Sequence, residues 1–128
     1  MSASVLVVED NPALRELLLG ALTDEGYTVR GAENGQVALD MLDTWRPGVI
    51  LLDLAMPTMD GLAFLGRLEA MPALATVPVI VVSAYANYLE AARYRGARAA
   101  IQKPYDVVQL LDTIAAVLHD ARTDRSAE

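Results

Sequence analysis

An α/β protein built on a five-stranded parallel sheet, doubly wound as (βα)5, is the fold this chain predicts, on three observations. Short aliphatic runs alternate with helical stretches five times along the 128 residues, and strict alternation implies right-handed crossovers within one parallel sheet. Val49-Ile50-Leu51-Leu52 and Val79-Ile80-Val81-Val82 are apolar at every position, as strands covered on both faces are. Polar residues fall at the ends of the runs, not within them. They therefore gather at the carboxyl edge, where open α/β sheets hold ligands.

Taken in order, Ser4-Val5-Leu6-Val7-Val8 reads as a buried strand ending in Glu9-Asp10. Asn11-Pro12 then starts a helix, with proline in its first turn. Leu14, Leu17, Leu18, Ala21 and Leu22 form one apolar stripe, and Gly26 stops the helix. Tyr27-Thr28-Val29-Arg30 is a weaker strand. A turn at Glu33-Asn34-Gly35 leads to a second helix with Val37, Ala38, Met41 and Leu42 inward. Pro47-Gly48 delivers the central strand, which ends in Asp53. Pro57 stops that backbone, and Asp60-Gly61 reads as a turn and N-cap before Leu62-Ala63-Phe64-Leu65. After a loop from Met71 to Pro78, the fourth strand ends in Ser83. A helix from Ala86 to Tyr94 closes at Gly96, and Ala99-Ala100-Ile101-Gln102 is a short fifth strand. Lys103-Pro104-Tyr105-Asp106 is a turn in which Asp106 caps a last helix with Val107, Leu110, Leu111, Ile114 and Leu118 on one side. One domain over residues 1–120 is expected, with 121–128 a polar, frayed tail or linker stub.

Composition narrows the function. The chain is 54% hydrophobic and 21% charged, too apolar for disorder. It has no cysteine, so disulfides and thiolate metal sites are excluded, and the cytoplasm is the expected location. No apolar run approaches the ~18 residues that cross a bilayer, so no membrane partner is expected. A net charge of −7 argues against direct nucleic-acid binding. Arg93, Arg95 and Arg98 are too sparse to reverse that and read as a solvated face. His119 suits the end of the last helix, and Trp45 and the tyrosines read as packing or rim residues.

Asp53 is the residue that the central strand should not carry, since a carboxylate there is costly to desolvate unless cations or donors meet it. Glu9, Asp10, Asp53, Ser83 and Lys103 all end strands or follow them, so they converge on one edge. Three close carboxylates repel unless a hard divalent cation sits among them, and oxygen-only donors favour Mg²⁺ or Mn²⁺ over zinc. A lysine and a serine hydroxyl opposite them suit a phosphoryl group. The inferred site is an acidic metal pocket with one nucleophilic carboxylate.

With these residues in place the sequence resembles the receiver domain of two-component response regulators. The likeness rests on Glu9-Asp10 after an apolar strand, Asp53 in Asp-Leu-Ala-Met-Pro-Thr-Met-Asp-Gly, Val82-Ser83-Ala84 and Lys103-Pro104, and covers about Val5 to Leu118. It implies a flavodoxin-like, CheY-like single domain. It further implies that Asp53 is the phosphoacceptor, served by a sensor histidine kinase or histidine phosphotransfer protein. Asp10 and Asp53 would ligate Mg²⁺ directly, with the Ala55 backbone carbonyl as a third ligand and Glu9 acting through water. Ser83 would hydrogen-bond one phosphoryl oxygen and Lys103 pair with another, the Lys103–Pro104 bond being cis in the family. The chemistry would be the domain's own phosphorylation and slow dephosphorylation, not turnover of another substrate. A downstream effector or output domain would read the surface of the fourth helix, fifth strand and fifth helix. No output domain follows Leu118, so a stand-alone regulator or a receiver cut from a longer chain is expected, as a monomer or weak homodimer.

Two departures stand out. Ala100 occupies the fifth-strand position where the family often carries a switching aromatic, leaving backbone and Ser83, or a neighbour such as Tyr85 or Tyr88, to move the surface. Ala55 and Tyr85, each two residues beyond a site residue, supply neither a base nor a charge that draws in water. Slow phosphate loss with Tyr85 shielding the site is therefore expected. Competing readings are a phosphorylation-independent interaction domain, favoured by Ala100, and a Mg²⁺-dependent phosphohydrolase, disfavoured because Ala55 stands where such enzymes usually place a second aspartate. A nucleotide-binding domain is weaker still, since Glu9-Asp10-Asn11-Pro12 replaces any glycine-rich phosphate loop.

Overall fold

The structure, a computed structural model, describes the backbone of residues 3–54 and 61–127 and the side chains of 3–54 and 61–121. Five strands and five helices alternate: β1 Ser4–Val8, α1 Pro12–Asp24, β2 Thr28–Ala32, α2 Gly35–Leu42, β3 Val49–Asp53, α3 Gly61–Glu69, β4 Val79–Ser83, α4 Ala86–Tyr94, β5 Ala99–Gln102 and α5 Val107–Ala127. All strand pairs are parallel, in the order β2-β1-β3-β4-β5. This is the flavodoxin-like order, with the chain winding outward in opposite directions from β1 and β3. The carboxyl ends of those two strands frame the switch point where such sheets bind ligands.

Side-chain alternation along each strand divides the core into two layers. Leu6 and Val8, Ile50 and Leu52, and Val79 and Val81 face one layer, under α2, α3 and α4 with Phe64 at 0% exposure. Val5 and Val7, Val49 and Leu51, and Ile80 and Val82 face the other, under α1 and α5 with Leu22, Leu110 and Ile114. Truncating one of these leucines to alanine costs about 2–5 kcal/mol. Three helix starts are fixed by side chains accepting from backbone N–H groups three residues on. Asn11 Oδ1 takes Leu14 N–H at 3.0 Å, Asn34 Oδ1 takes Val37 N–H at 2.9 Å, and Asp106 Oδ1 takes Gln109 N–H at 2.7 Å.

Three sequence expectations are corrected. β2 lies one residue later at its start and runs on to Ala32, because Gly26, at φ +92°, and the bond from Tyr27 N–H to Leu22 O hold Tyr27 in the helix exit. Leu17 is 61% exposed: Leu18 and Leu22 point into the sheet, and position 17 falls on the flank of α1. On α5 the buried set is Leu110, Ile114, Val117 and Leu118, with Val107 and Leu111 only half-buried. The helix assignment of α5 runs to Ala127, through a stretch that contains neither glycine nor proline. Among the described residues, no helix is long and apolar enough to cross a membrane.

Candidate functional site

Among the described residues, the buried polar side chains are Glu9, Asp53 and Ser83, at 4%, 7% and 1% exposure, and all lie at the carboxyl edge of the sheet. Their placement follows from the strands. Glu9 extends β1, its N–H donating to Ala32 O at 3.0 Å and its carbonyl accepting from Arg15 Nη1 at 2.9 Å. Asp53 closes β3 in register with Val82, and the next residue, Leu54, donates its N–H to Val82 O at 3.0 Å. Ser83 ends β4 one residue further on. Lys103 follows β5, and its N–H donates to Ser83 O at 2.9 Å.

Glu9, Asp10 and Asp53 each bring a carboxylate oxygen to within 4.8 Å of the other two. Glu9 and Asp53 are buried while Asp10 is exposed, so the cluster opens toward solvent on the Asp10 side. Burial pushes the Glu9 carboxyl from its ordinary 4.5 up to about 7. The backbone N–H of Asn11, which donates to Glu9 Oε2 at 3.1 Å, opposes that rise, and the neighbouring Asp10 and Asp53 add to it. Lys103 Nζ lies 3.3 Å from Asp53 Oδ2 and supplies positive charge on the opposite side. The Lys103–Pro104 peptide is cis, as the resemblance implied. Close, mutually repelling carboxylates with hard oxygen donors and, among the described residues, no nitrogen or sulfur ligand in the cluster suit a small divalent cation.

Ser83 Oγ accepts from Tyr85 N–H at 3.1 Å, so the hydroxyl is tied to the turn that opens α4. Tyr85 itself is 59% exposed and meets Tyr88 edge-on, with centroids 5.5 Å apart. A small cavity beside Asp53 is lined by Val7, Val8, Glu9, Leu18, Leu51, Val82 and Tyr105. Ala100 faces α4 and stands apart from the carboxylates, beside an open cleft of about 510 Å³. Ala55, expected to offer its carbonyl to the metal, and Asp60, expected as an N-cap, lie outside the described residues.

One contributor escaped the sequence reading. Tyr105 is half-buried against the Asp53 pocket, and its hydroxyl pKa is raised by burial and then by Glu9 and Asp53. The signal was an aromatic directly after Lys103-Pro104, at the same edge as the carboxylates. Gly61, expected at a turn, opens α3. A Cβ there would stand 2.5 Å from Leu54 Cα and 3.1 Å from Asp53 O, so only glycine lets α3 begin against the end of β3.

A doubly wound sheet with an acidic pocket, a buried serine and a lysine on one carboxylate at its switch point defines a receiver-type module. The chain belongs to the response regulator receiver domain family of two-component systems, whose pattern it matches over residues 5–115. It is 36% identical over 123 residues to the polar-differentiation response regulator DivK of Brucella anthropi, covering 94% of this chain and 100% of that one. It is 35% identical to the response regulator MprA of Mycobacterium bovis across 100% of this chain and 56% of MprA, so it spans about half that relative's length. The chemotaxis response regulator CheY4 of Vibrio cholerae superposes with a TM-score of 0.85 at 28% identity, over 91% of this chain and 99% of CheY4.

Proposed function

We propose that this domain takes a phosphoryl group on Asp53 from a phosphohistidine of a sensor kinase or phosphotransfer protein and thereby changes its partner-binding surface. The observation that carries the reading is Lys103 Nζ at 3.3 Å from Asp53 Oδ2, within a cluster where Glu9 and Asp10 present oxygens to the same space. An Asp53 oxygen attacks phosphorus in line, the P–N bond to the imidazole breaks, and the imidazole leaves as the neutral ring once protonated. Lys103, already on Asp53, needs only a small shift to pair with a phosphoryl oxygen as charge builds there. Ser83, fixed through Tyr85 N–H, keeps its own hydroxyl proton available to donate to a second oxygen. Glu9, Asp10 and Asp53 would hold Mg²⁺ or Mn²⁺, which when bound neutralises charge on the phosphoryl oxygens. The chain carries out this transfer on itself and turns over no other substrate. Its downstream partner would be an effector protein or output domain, and its setting the cytoplasm.

Intact mass after incubation with a small acyl-phosphate donor tests the reading. One added phosphoryl group is expected, lost with EDTA and in Asp53→Asn. No gain in folded protein with Mg²⁺ present would contradict it and favour the phosphorylation-independent interaction domain, the reading that Ala100 supports.

A further inference from the structure

Three bonds hold Glu9, the first of the clustered carboxylates. Its N–H donates to Ala32 O at 3.0 Å, its Oε2 accepts from Asn11 N–H at 3.1 Å, and its backbone carbonyl accepts from Arg15 Nη1 at 2.9 Å. The third has an ionised donor, which strengthens a hydrogen bond. Its target matters as much. The Glu9 oxygen belongs to the planar peptide unit that ends at the Asp10 Cα, so a bond to that atom fixes how the Glu9 and Asp10 side chains leave the chain. Arg15 is itself anchored, its N–H donating to Asn11 O at 2.9 Å at the start of α1. β2 makes room for this reach. Gly31 pairs with Val7 of β1 and precedes Ala32. A Cβ at Gly31 would stand 3.0 Å from Arg15 Cδ, 3.2 Å from Arg15 Cγ and 3.1 Å from Leu19 Cδ1. The Arg15 stem thus lies against bare glycine backbone. Glycine inside a strand weakens it and often marks such a close approach.

From this arrangement, and resting on the metal-holding part of the reading above, we infer that Arg15 is a positioning residue for the divalent cation, holding the Glu9–Asp10 peptide so that both carboxylates face Asp53, and that Gly31 is the gap in β2 through which Arg15 reaches. Arg15 acts through the peptide and not on the cation itself. Oxygens of Glu9, Asp10 and Asp53 lie within 4.8 Å of one another, so before a cation arrives their charges repel. Asp10, exposed while the other two are buried, is the member free to swing outward. A bond on the peptide that joins Asp10 to Glu9 opposes that swing from the backbone side. Partners that orient metal ligands in this way set affinity, because the cation then finds its oxygens already gathered.

Calorimetric titration with Mg²⁺ tests this on the whole chain and three variants, with thermal melts showing that each is folded. Arg15→Met keeps the apolar stem and removes the donor. Arg15→Lys keeps a cationic donor at the same position. Gly31→Val changes no residue of the cluster but crowds the Arg15 stem. Intact mass after treatment with a small acyl-phosphate donor is read on the same samples at saturating Mg²⁺. Arg15→Met and Gly31→Val should each lose about 10-fold or more in Mg²⁺ affinity. Arg15→Lys should bind more tightly than Arg15→Met, and saturating Mg²⁺ should restore the mass gain in all three. Wild-type affinity in Arg15→Met or in Gly31→Val, or an Arg15→Lys that binds no better than Arg15→Met, overturns the inference and leaves the phosphoacceptor reading standing. A wild type that binds Mg²⁺ and gains no mass overturns the phosphoacceptor reading, while the affinities still decide for or against Arg15. No Mg²⁺ binding by the folded wild type overturns both.

Discussion

Lys103 and Asp53, fifty residues apart in sequence, meet through Nζ and Oδ2 at 3.3 Å across the carboxyl edge of the sheet, the lysine side chain 31% exposed and the aspartate 8%. The contact is geometric preparation for reaction more than a source of stability, because a partly exposed pair contributes only about 0–1 kcal/mol. Lys103→Met should leave the fold almost unchanged in a thermal melt. It should slow phosphoryl uptake by on the order of 10²-fold, the usual effect of removing a donor aimed at developing charge. The initial rate of mass gain checks this.

The Glu9 carboxyl sets a pH dependence. Its folded pKa is raised from 4.5 to about 7, so between those values the folded state holds a proton that the unfolded state has lost. Stability of the metal-free protein should therefore fall as pH rises from 4.5 to 7, and be level in this respect below and above that window. Glu9→Gln should flatten the slope. Mg²⁺ affinity should move the opposite way, strengthening as pH rises toward and past 7, since the cation needs the ionised carboxylate. Denaturant melts and metal titrations across pH 4 to 8 separate the two.

Gly61→Ala probes the seam between β3 and α3. The added carbon would stand 2.5 Å from Leu54 Cα and 2.6 Å from Leu54 Cδ2, and the first of these is backbone that no rotamer change relieves. A loss of about 1–3 kcal/mol is expected. Mg²⁺ binding should weaken too, because Asp53 O is within 3.1 Å of the same carbon and the strand end must shift. A substitution that melts normally and binds Mg²⁺ as before would contradict this placement of α3.

Much of the fold was legible in the sequence because fully apolar runs have few alternatives. Val49 to Leu52 and Val79 to Val82 fit strands covered on both faces, and Asn11, Asn34 and Asp106 are caps by their chemistry. The carboxylates and Lys103 were legible because charged residues at strand ends converge in such a sheet. Leu17 was not, since a stripe of leucines does not reveal which flank of a helix the sheet covers. The place of Tyr105 and the contact of Gly61 with Leu54 were not either, since both depend on the distance between segments that only the folded chain brings together. Nor does composition show that Tyr85 meets Tyr88 edge-on.

That position also governs the expected lifetime of the acyl phosphate. Tyr85 offers no base and no charge to orient water, so loss of phosphate should take far longer than seconds. Tyr85→Glu, which adds a group able to orient water, should shorten the lifetime by about 10-fold or more. Decay of the added mass after removal of the donor reads both proteins directly.

The most direct test of the phosphoacceptor role is to locate the added group. Borohydride reduction converts an aspartyl phosphate to homoserine, and peptide mass spectrometry then shows which carboxylate was modified. Homoserine at position 53 in the Mg²⁺-treated protein, with aspartate intact at position 10 and glutamate at position 9, is the expected result. Reduction at another carboxylate, or none in a protein that has gained no mass, would contradict the assignment of Asp53.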